Sequence, residues 1–131
     1  MALTGASGVI YGVRFLEVCQ DLDIQTELIV SETAERLLQL ELGKTKAEVE
    51  GLASKSYGFR EMTAPIASGS QIRDAMVVIP CSMGTLAKIA SGISDNLITR
   101  TADVFLKERR PLILVTRETP LSVIHLENML K

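Results

Sequence analysis

Residues 75–92 read AMVVIPCSMGTLAKIASG. Ala75 to Pro80 is a continuous apolar run without polar alternation. Such a run marks a strand buried on both faces, as in a parallel sheet. The chain then turns through Cys81 to Thr85, a helix follows from about Thr85 to Ser91, and Gly92 is a natural stop. A buried strand, a tight turn and a helix in that order predict one unit of a βα alternation.

The same unit recurs on both sides. Upstream, the very short apolar lead Met1 to Leu3 enters Thr4-Gly5-Ala6-Ser7-Gly8. Val9, Val13, Leu16 and Cys19 then recur at helical spacing in a helix that reaches Leu22. Ile24 to Val30 predicts a second strand. Ser31 fits an N-cap, and Glu32 and Glu35 suit the first turn of the helix that follows. Thr45 and Glu48 stand at capping-box spacing for a short helix. Residues 53–71 carry Gly, Ser, Thr and Pro with little periodicity and predict a loop. Downstream, residues 94–110 (SDNLITRTADVFLKERR) predict the longest amphipathic helix, closed by Pro111, and residues 112–117 (LILVTR) the next buried strand. Pro120, near a helix N1 position, leads into a last helix. The alternation predicts an α/β protein: a Rossmann-like (flavodoxin-like) three-layer sandwich with a mainly parallel sheet.

Bulk properties narrow the function classes. A chain of 131 residues suits one domain, and 47% hydrophobic residues supply a core. Aromatics at 4%, with no Trp, argue against a base-stacking platform. A net charge of −2 argues against a nucleic-acid protein. No apolar run approaches the ~20 residues of a membrane span, and no secretory signal is recognisable. Cys19 and Cys81 lie far apart without metal-ligand spacing and read as reduced thiols of a cytoplasmic protein.

In parallel α/β sheets, ligands bind beyond the carboxyl ends of the strands. Four loops leave those ends: Thr4 to Gly8, Ser31 and its neighbours, Cys81 to Thr85, and Arg117 to Thr119. Each carries Ser, Thr, Gly or a charge. In the first, Gly5 and Gly8 permit close backbone approach, Ser7 adds a hydroxyl, and the next helix offers free N–H groups to an anion. Its spacing is neither G-x-G-x-x-G nor a P-loop, and a plain tight turn fits it equally well. Ser82 and Thr85 bracket a second helix start, which simple N-capping also explains. Cys81 has no His near it in sequence and reads as a buried thiol rather than a nucleophile. Arg100, Asp103 and Lys107 share one helix face, as an ion-pair ladder or as a cationic surface for a phosphate. Arg117 and Glu118, adjacent past a strand end, suit anion binding with proton transfer, or a surface pair. Glu41 ends a helix against its dipole, which hints at a task. His125, the only His, reads as structural.

The stretches TGASGVIYGVRFL, APIASGS and IPCSMGTLAKIASGISDNLITRTADVFLKERRPLILVTRETPLSVIHLENML resemble the flavin prenyltransferases, the UbiX-type proteins, in order and over essentially the whole chain. The resemblance implies binding of FMN and transfer of a dimethylallyl group from dimethylallyl monophosphate to flavin N5 and C6. The product serves a partner decarboxylase, and no metal is needed. The resemblance also implies a large homo-oligomer, a dodecamer, with sites at subunit interfaces. Matched residue by residue, it assigns Gly5, Ala6, Ser7, Ser31, Ser82, Met83, Gly84, Thr85 and Arg117 to FMN. It assigns Ser68, Arg100 and Lys107 to the prenyl phosphate. Ser7, Glu41, Lys107 and Glu118 are the catalytic candidates.

Met62 stands where many members carry an aromatic. Members also have several apolar residues before TGASG and a further strand and helix after the last one here. Residues 1–131 therefore read as one FMN-binding flavoprotein domain without its extreme N-terminus and that C-terminal strand and helix. Two alternatives accompany the transferase reading. One is an FMN-dependent decarboxylase of the cysteine-decarboxylase group, which uses an active His early in the chain and a PASANT-like loop where this chain has PCSMGT. The other is a non-catalytic FMN-binding subunit.

Overall fold

Strands and helices alternate along residues 1–131, all of which the computed structural model describes. The strands are β1 (Ala2–Leu3), β2 (Glu27–Val30), β3 (Lys55–Tyr57), β4 (Met76–Cys81) and β5 (Leu112–Thr116). They form one sheet in the order β3-β2-β1-β4-β5, with every pair parallel. The helices are α1 (Val9–Asp21), α2 (Glu32–Leu42), α3 (Lys46–Glu50), α4 (Met83–Ala90), α5 (Leu97–Lys107) and α6 (Val123–Leu130). The winding reverses at β1, which has β2 on one side and β4 on the other. That reversal opens a crevice beyond the carboxyl end of β1.

The period of two along each strand splits the core between the faces of the sheet. Leu3, Leu28 and Val30 point to one face and pack with Val9, Val13 and Leu16 of α1, Ala34 and Leu38 of α2, and Val49 of α3. Ala2, Ile29, Met76 and Val78 point to the other and pack with Met83, Leu86 and Ile89 of α4 and Leu97, Ile98, Ala102 and Phe105 of α5. Each fully buried aliphatic or Phe side chain contributes about 1.5–3 kcal/mol, so these two clusters hold the three layers together.

Several boundaries differ from those the sequence predicts, each for a local reason. Residues 53–71 contain β3 and a 3₁₀ turn at Pro65–Ala67 rather than loop alone. β3 is three residues long and buries only Tyr57, so it leaves no periodic signal. β2 begins at Glu27, not Ile24. α4 begins at Met83 because the Ser82 side chain caps it, accepting from the Thr85 amide at 3.2 Å. α5 spans Leu97–Lys107, not 94–110, because Asn96 and Thr99 form a capping box at its start. α1, with 13 residues, is therefore the longest helix. α6 starts at Val123 under the Ser122 cap, so Pro120 precedes the helix instead of opening it.

Candidate functional site

Past the carboxyl ends of β1, β2 and β4 the chain turns into α1, α2 and α4, and polar contacts hold these turns at one level. The Thr4 hydroxyl donates to the Pro80 carbonyl at 2.8 Å and accepts from the Ser82 amide at 2.7 Å. The Ser31 amide donates to the Leu3 carbonyl at 3.0 Å. Gly5 lies against α2: a Cβ there would come within 2.6 Å of Thr33 Cγ2, so the loop reaches this position only without a side chain. Gly8 has a φ of 92°, the left-handed conformation that reverses the chain into α1.

The three helix starts are not equivalent. Ser31 accepts from the Ala34 amide at 3.1 Å and Ser82 from the Thr85 amide at 3.2 Å, so both act as N-caps. The amides of Glu32 and Thr33 in α2, and of Met83 and Gly84 in α4, have no acceptor within the protein. Those two helix ends can receive an anion. At α1 two of the amides expected to be free, those of Gly8 and Val9, are occupied. Glu41 Oε2 accepts from the Gly8 amide at 2.9 Å and from the Val9 amide at 3.2 Å. The last turn of α2 lies over the first turn of α1, so the Glu41 carboxylate meets the positive end of a neighbouring helix. Its position against its own dipole is thereby explained.

This contact makes a prediction about Glu41. Glu41→Ala is expected to lower the unfolding free energy by about 1 kcal/mol, the cost of losing a cap. Glu41→Gln, which keeps an acceptor oxygen, should lose about half as much, the charge–dipole part alone. Denaturant titration measures both, and unchanged midpoints in both variants would refute the capping role.

The remaining candidates form a second group. Arg100 Nε donates to the Ala67 carbonyl at 3.1 Å, and its Nη1 pairs with Asp103 at 2.9 Å. Lys107 pairs with Glu108 and not with Asp103, so the predicted ladder stops after one rung. Ser68 Oγ hydrogen-bonds Ser70 Oγ at 2.9 Å in the loop that these cations flank. Arg110 holds the same loop, donating to the carbonyls of Gly69 at 2.8 Å and Gln71 at 2.9 Å. α5 runs antiparallel to the strands, as a crossover between parallel strands requires. Its last turn, with Lys107, therefore lies at the amino edge of the sheet. β4 with its six residues separates the two edges by about 20 Å. One protomer does not bring Lys107 to the Thr4–Gly8 loop.

Arg117 and Glu118 follow β5 at the carboxyl edge, where Thr116 stands in register with Cys81. Both are exposed and form no ion pair with each other; Glu118 accepts from the Thr119 amide at 3.1 Å. The Met83 side chain is 8% exposed and packs in the core, so only its backbone faces the edge. Burial pushes the Cys81 thiol up to about 12, which keeps it protonated and unsuited to nucleophilic attack. A cavity of about 610 Å³ lies away from these loops, at the amino edge between the strand starts and Thr101 and Phe105 of α5. No group of three His, Cys, Asp or Glu side chains is placed to hold a metal ion.

Comparison with known proteins places this architecture. The flavoprotein family model matches residues 1–131. The chain belongs to the flavoprotein family. Among curated relatives, a probable UbiX-like flavin prenyltransferase of Bacillus subtilis is 51% identical over 130 residues, 99% of this chain. The chain spans 64% of that relative's length. The crystal structure of AnUbiX in complex with FMN and dimethylallyl pyrophosphate matches with a TM-score of 0.97 and 50% identity, over 98% of this flavoprotein chain and 69% of that one. A dodecameric FMN-dependent UbiX-like decarboxylase from Escherichia coli O157:H7 also matches with a TM-score of 0.97, at 46% identity, over 98% of this chain and 70% of its own.

Two residues of the flavoprotein's edge escape a reading of the sequence. Thr4, 1% exposed, is the hydroxyl that joins the turns after β1 and β4. Its only sequence signal is a Thr where a buried strand end favours an apolar residue. Arg110 sits in a run of basic residues that looks like solvated surface, and only the folded loop supplies its two carbonyl acceptors.

Proposed function

We propose that this flavoprotein is a flavin prenyltransferase. It binds reduced FMN and joins to it a dimethylallyl group from dimethylallyl monophosphate, in the cytoplasm, supplying a decarboxylase that depends on the prenylated flavin. The observation that carries this reading is the backbone match to AnUbiX, a protein held with FMN and dimethylallyl pyrophosphate. The carboxyl edge fits the cofactor. Unmatched amides at the starts of α2 and α4, the Ser31 and Ser82 caps and Arg117 would take its phosphate-bearing part. Gly5, Ala6 and Ser7 would lie along it, and Gly84 and Thr85 leave room beside it. A Cβ at Gly84 would meet nothing within 4 Å.

When bound, reduced FMN supplies the nucleophile. The protein's part is electrostatic and positional. A departing phosphate gathers negative charge, which the fixed cations Arg100 and Lys107 stabilise, with Ser68 beside them. Glu118 is the carboxylate that holds or moves a proton at the carboxyl edge. Ser7 stands on the loop whose base Glu41 caps.

Because Lys107 lies at the opposite edge from Ser7, a complete site takes its α5 cations from a second copy of the chain. A homo-oligomer, dodecameric like the E. coli relative, would supply that second copy. The outer face of β5 and α6 suits such assembly: Ile113 is 50%, Val123 70% and Ile124 67% exposed. The decarboxylase alternative requires an early active His, whereas His125 caps α6 through its Nδ1, which accepts from the Ser122 amide at 3.2 Å.

The test is a flavin mass measurement. Purified protein, reduced FMN and dimethylallyl monophosphate are combined under anaerobic conditions, and the flavin is then analysed. A gain of one prenyl group is expected. Bound flavin of unchanged mass would overturn the transferase reading and favour the non-catalytic FMN-binding subunit.

A further inference from the structure

Thr4 carries more than its place at the end of β1 suggests. β4 loses regular pairing at its carboxyl end. Its register with β1 is recorded at Ala2↔Val78, and its register with β5 shifts between Val78 and Cys81. Pro80 lies inside that irregularity and has no N–H for a ladder. On the β1 side, its carbonyl is taken by the Thr4 amide at 3.2 Å and the Thr4 hydroxyl at 2.8 Å. The same hydroxyl accepts from the Ser82 amide at 2.7 Å. Ser82 is the N-cap of α4, and the unmatched amides of Met83 and Gly84 follow it directly.

We propose that Thr4 is a positioning residue of the FMN site, its hydroxyl clamping the start of α4 to the end of β1. The clamp sets where the α4 amides stand relative to the Gly5–Gly8 loop. This proposal rests on the FMN reading above. A hydroxyl is suited to the task because one group donates to Pro80 and accepts from Ser82 at the same time. Without it, the Ser82 amide is left without an acceptor, and α4 can shift against the loop by the small distances to which ligand geometry is sensitive.

Thr4→Val keeps the shape and removes the hydroxyl, and Thr4→Ser keeps the hydroxyl. FMN titration of the full chain, followed by flavin fluorescence, should show Thr4→Val binding about 10- to 100-fold more weakly, the effect of one unmatched, part-buried donor at the start of α4. Thr4→Ser should stay within about threefold of the parent, because its clamp is intact. Amide exchange of Ser82, read by NMR in the flavin-free protein, should be slow in the parent and in Thr4→Ser and fast in Thr4→Val. Equal FMN affinity in Thr4→Val and the parent, or equal losses in the two variants, would overturn the proposal. If Thr4→Val does not fold, the parent decides: a Ser82 amide exchanging as fast as an exposed loop refutes the clamp. A parent that binds no FMN refutes the FMN reading instead, while the exchange rates still report on the clamp.

Discussion

Lys107→Ala is expected to slow prenyl transfer about 100- to 1,000-fold, the cost of removing one fixed charge from a developing phosphate anion. FMN affinity should change by less than about threefold, since Lys107 is assigned to the prenyl phosphate and the loops assigned to FMN, with Ser31, Ser82 and Arg117, do not depend on it. Lys107 is about half exposed and its partner is the neighbouring Glu108, so no buried network collapses when it is removed. Folding should be unaffected, and the loss should appear in kcat/KM for the prenyl donor. Equal losses of FMN binding and transfer would contradict the role. A second measurement separates the two edges. If Ser7 and Lys107 of one site come from different copies, co-assembled Ser7→Ala and Lys107→Ala chains form some sites with neither defect. Activity in the mixed oligomer above that of either variant alone is the expected result. No gain on mixing would mean that both residues serve the same protomer.

Gly12→Ala is the substitution expected to damage the fold most. In a helix interior, Gly to Ala ordinarily stabilises by about 0.5–1 kcal/mol. Here the new Cβ would run into the Ile79 backbone carbonyl and would lie 3.1 Å from Leu3 Cγ. A backbone carbonyl cannot rotate aside as a flexible side chain can, so α1 must lift from β4 and loosen the cluster around Leu3, Val9 and Val13. Overpacking of this kind costs about 1–3 kcal/mol and sometimes more. The clash exceeds the propensity gain, and a net loss of about 2 kcal/mol is expected, a fall in Tm of several degrees. Gly51→Ala is the control, since its Cβ would find only ordinary contacts at 3.5 Å and its φ is already helical. A thermal melt in which Gly12→Ala matches or exceeds the parent would show that α1 does not lie so close to β4.

Both predictions turn on where the fold places residues relative to segments remote in sequence, and so does the boundary between what was legible and what was not. The apolar run at Met76–Cys81, the helical spacing of Val9, Val13 and Leu16, and the capping box at Thr45 and Glu48 are local patterns. They announce strand, helix and helix start before any tertiary contact forms. Their alternation sufficed for a parallel α/β sandwich, and thereby for which loops share an edge. β3 stayed hidden because three residues with one buried side chain have no period to detect.

The amino-acid sequence by itself determined the layered fold, the carboxyl-edge loops and the chemical types they carry, because these follow from periodicity and turn chemistry over a few residues. Tertiary structure alone decided that Glu41 caps α1 and that Thr4 joins two turns. It also decided that Gly12 is a contact point and that Lys107 faces the other edge from Ser7. The physical reason is the same in each case. A carboxylate, a hydroxyl or a missing side chain has meaning only through its partner, and those partners lie 33, 76 and 67 residues away for Glu41, Thr4 and Gly12.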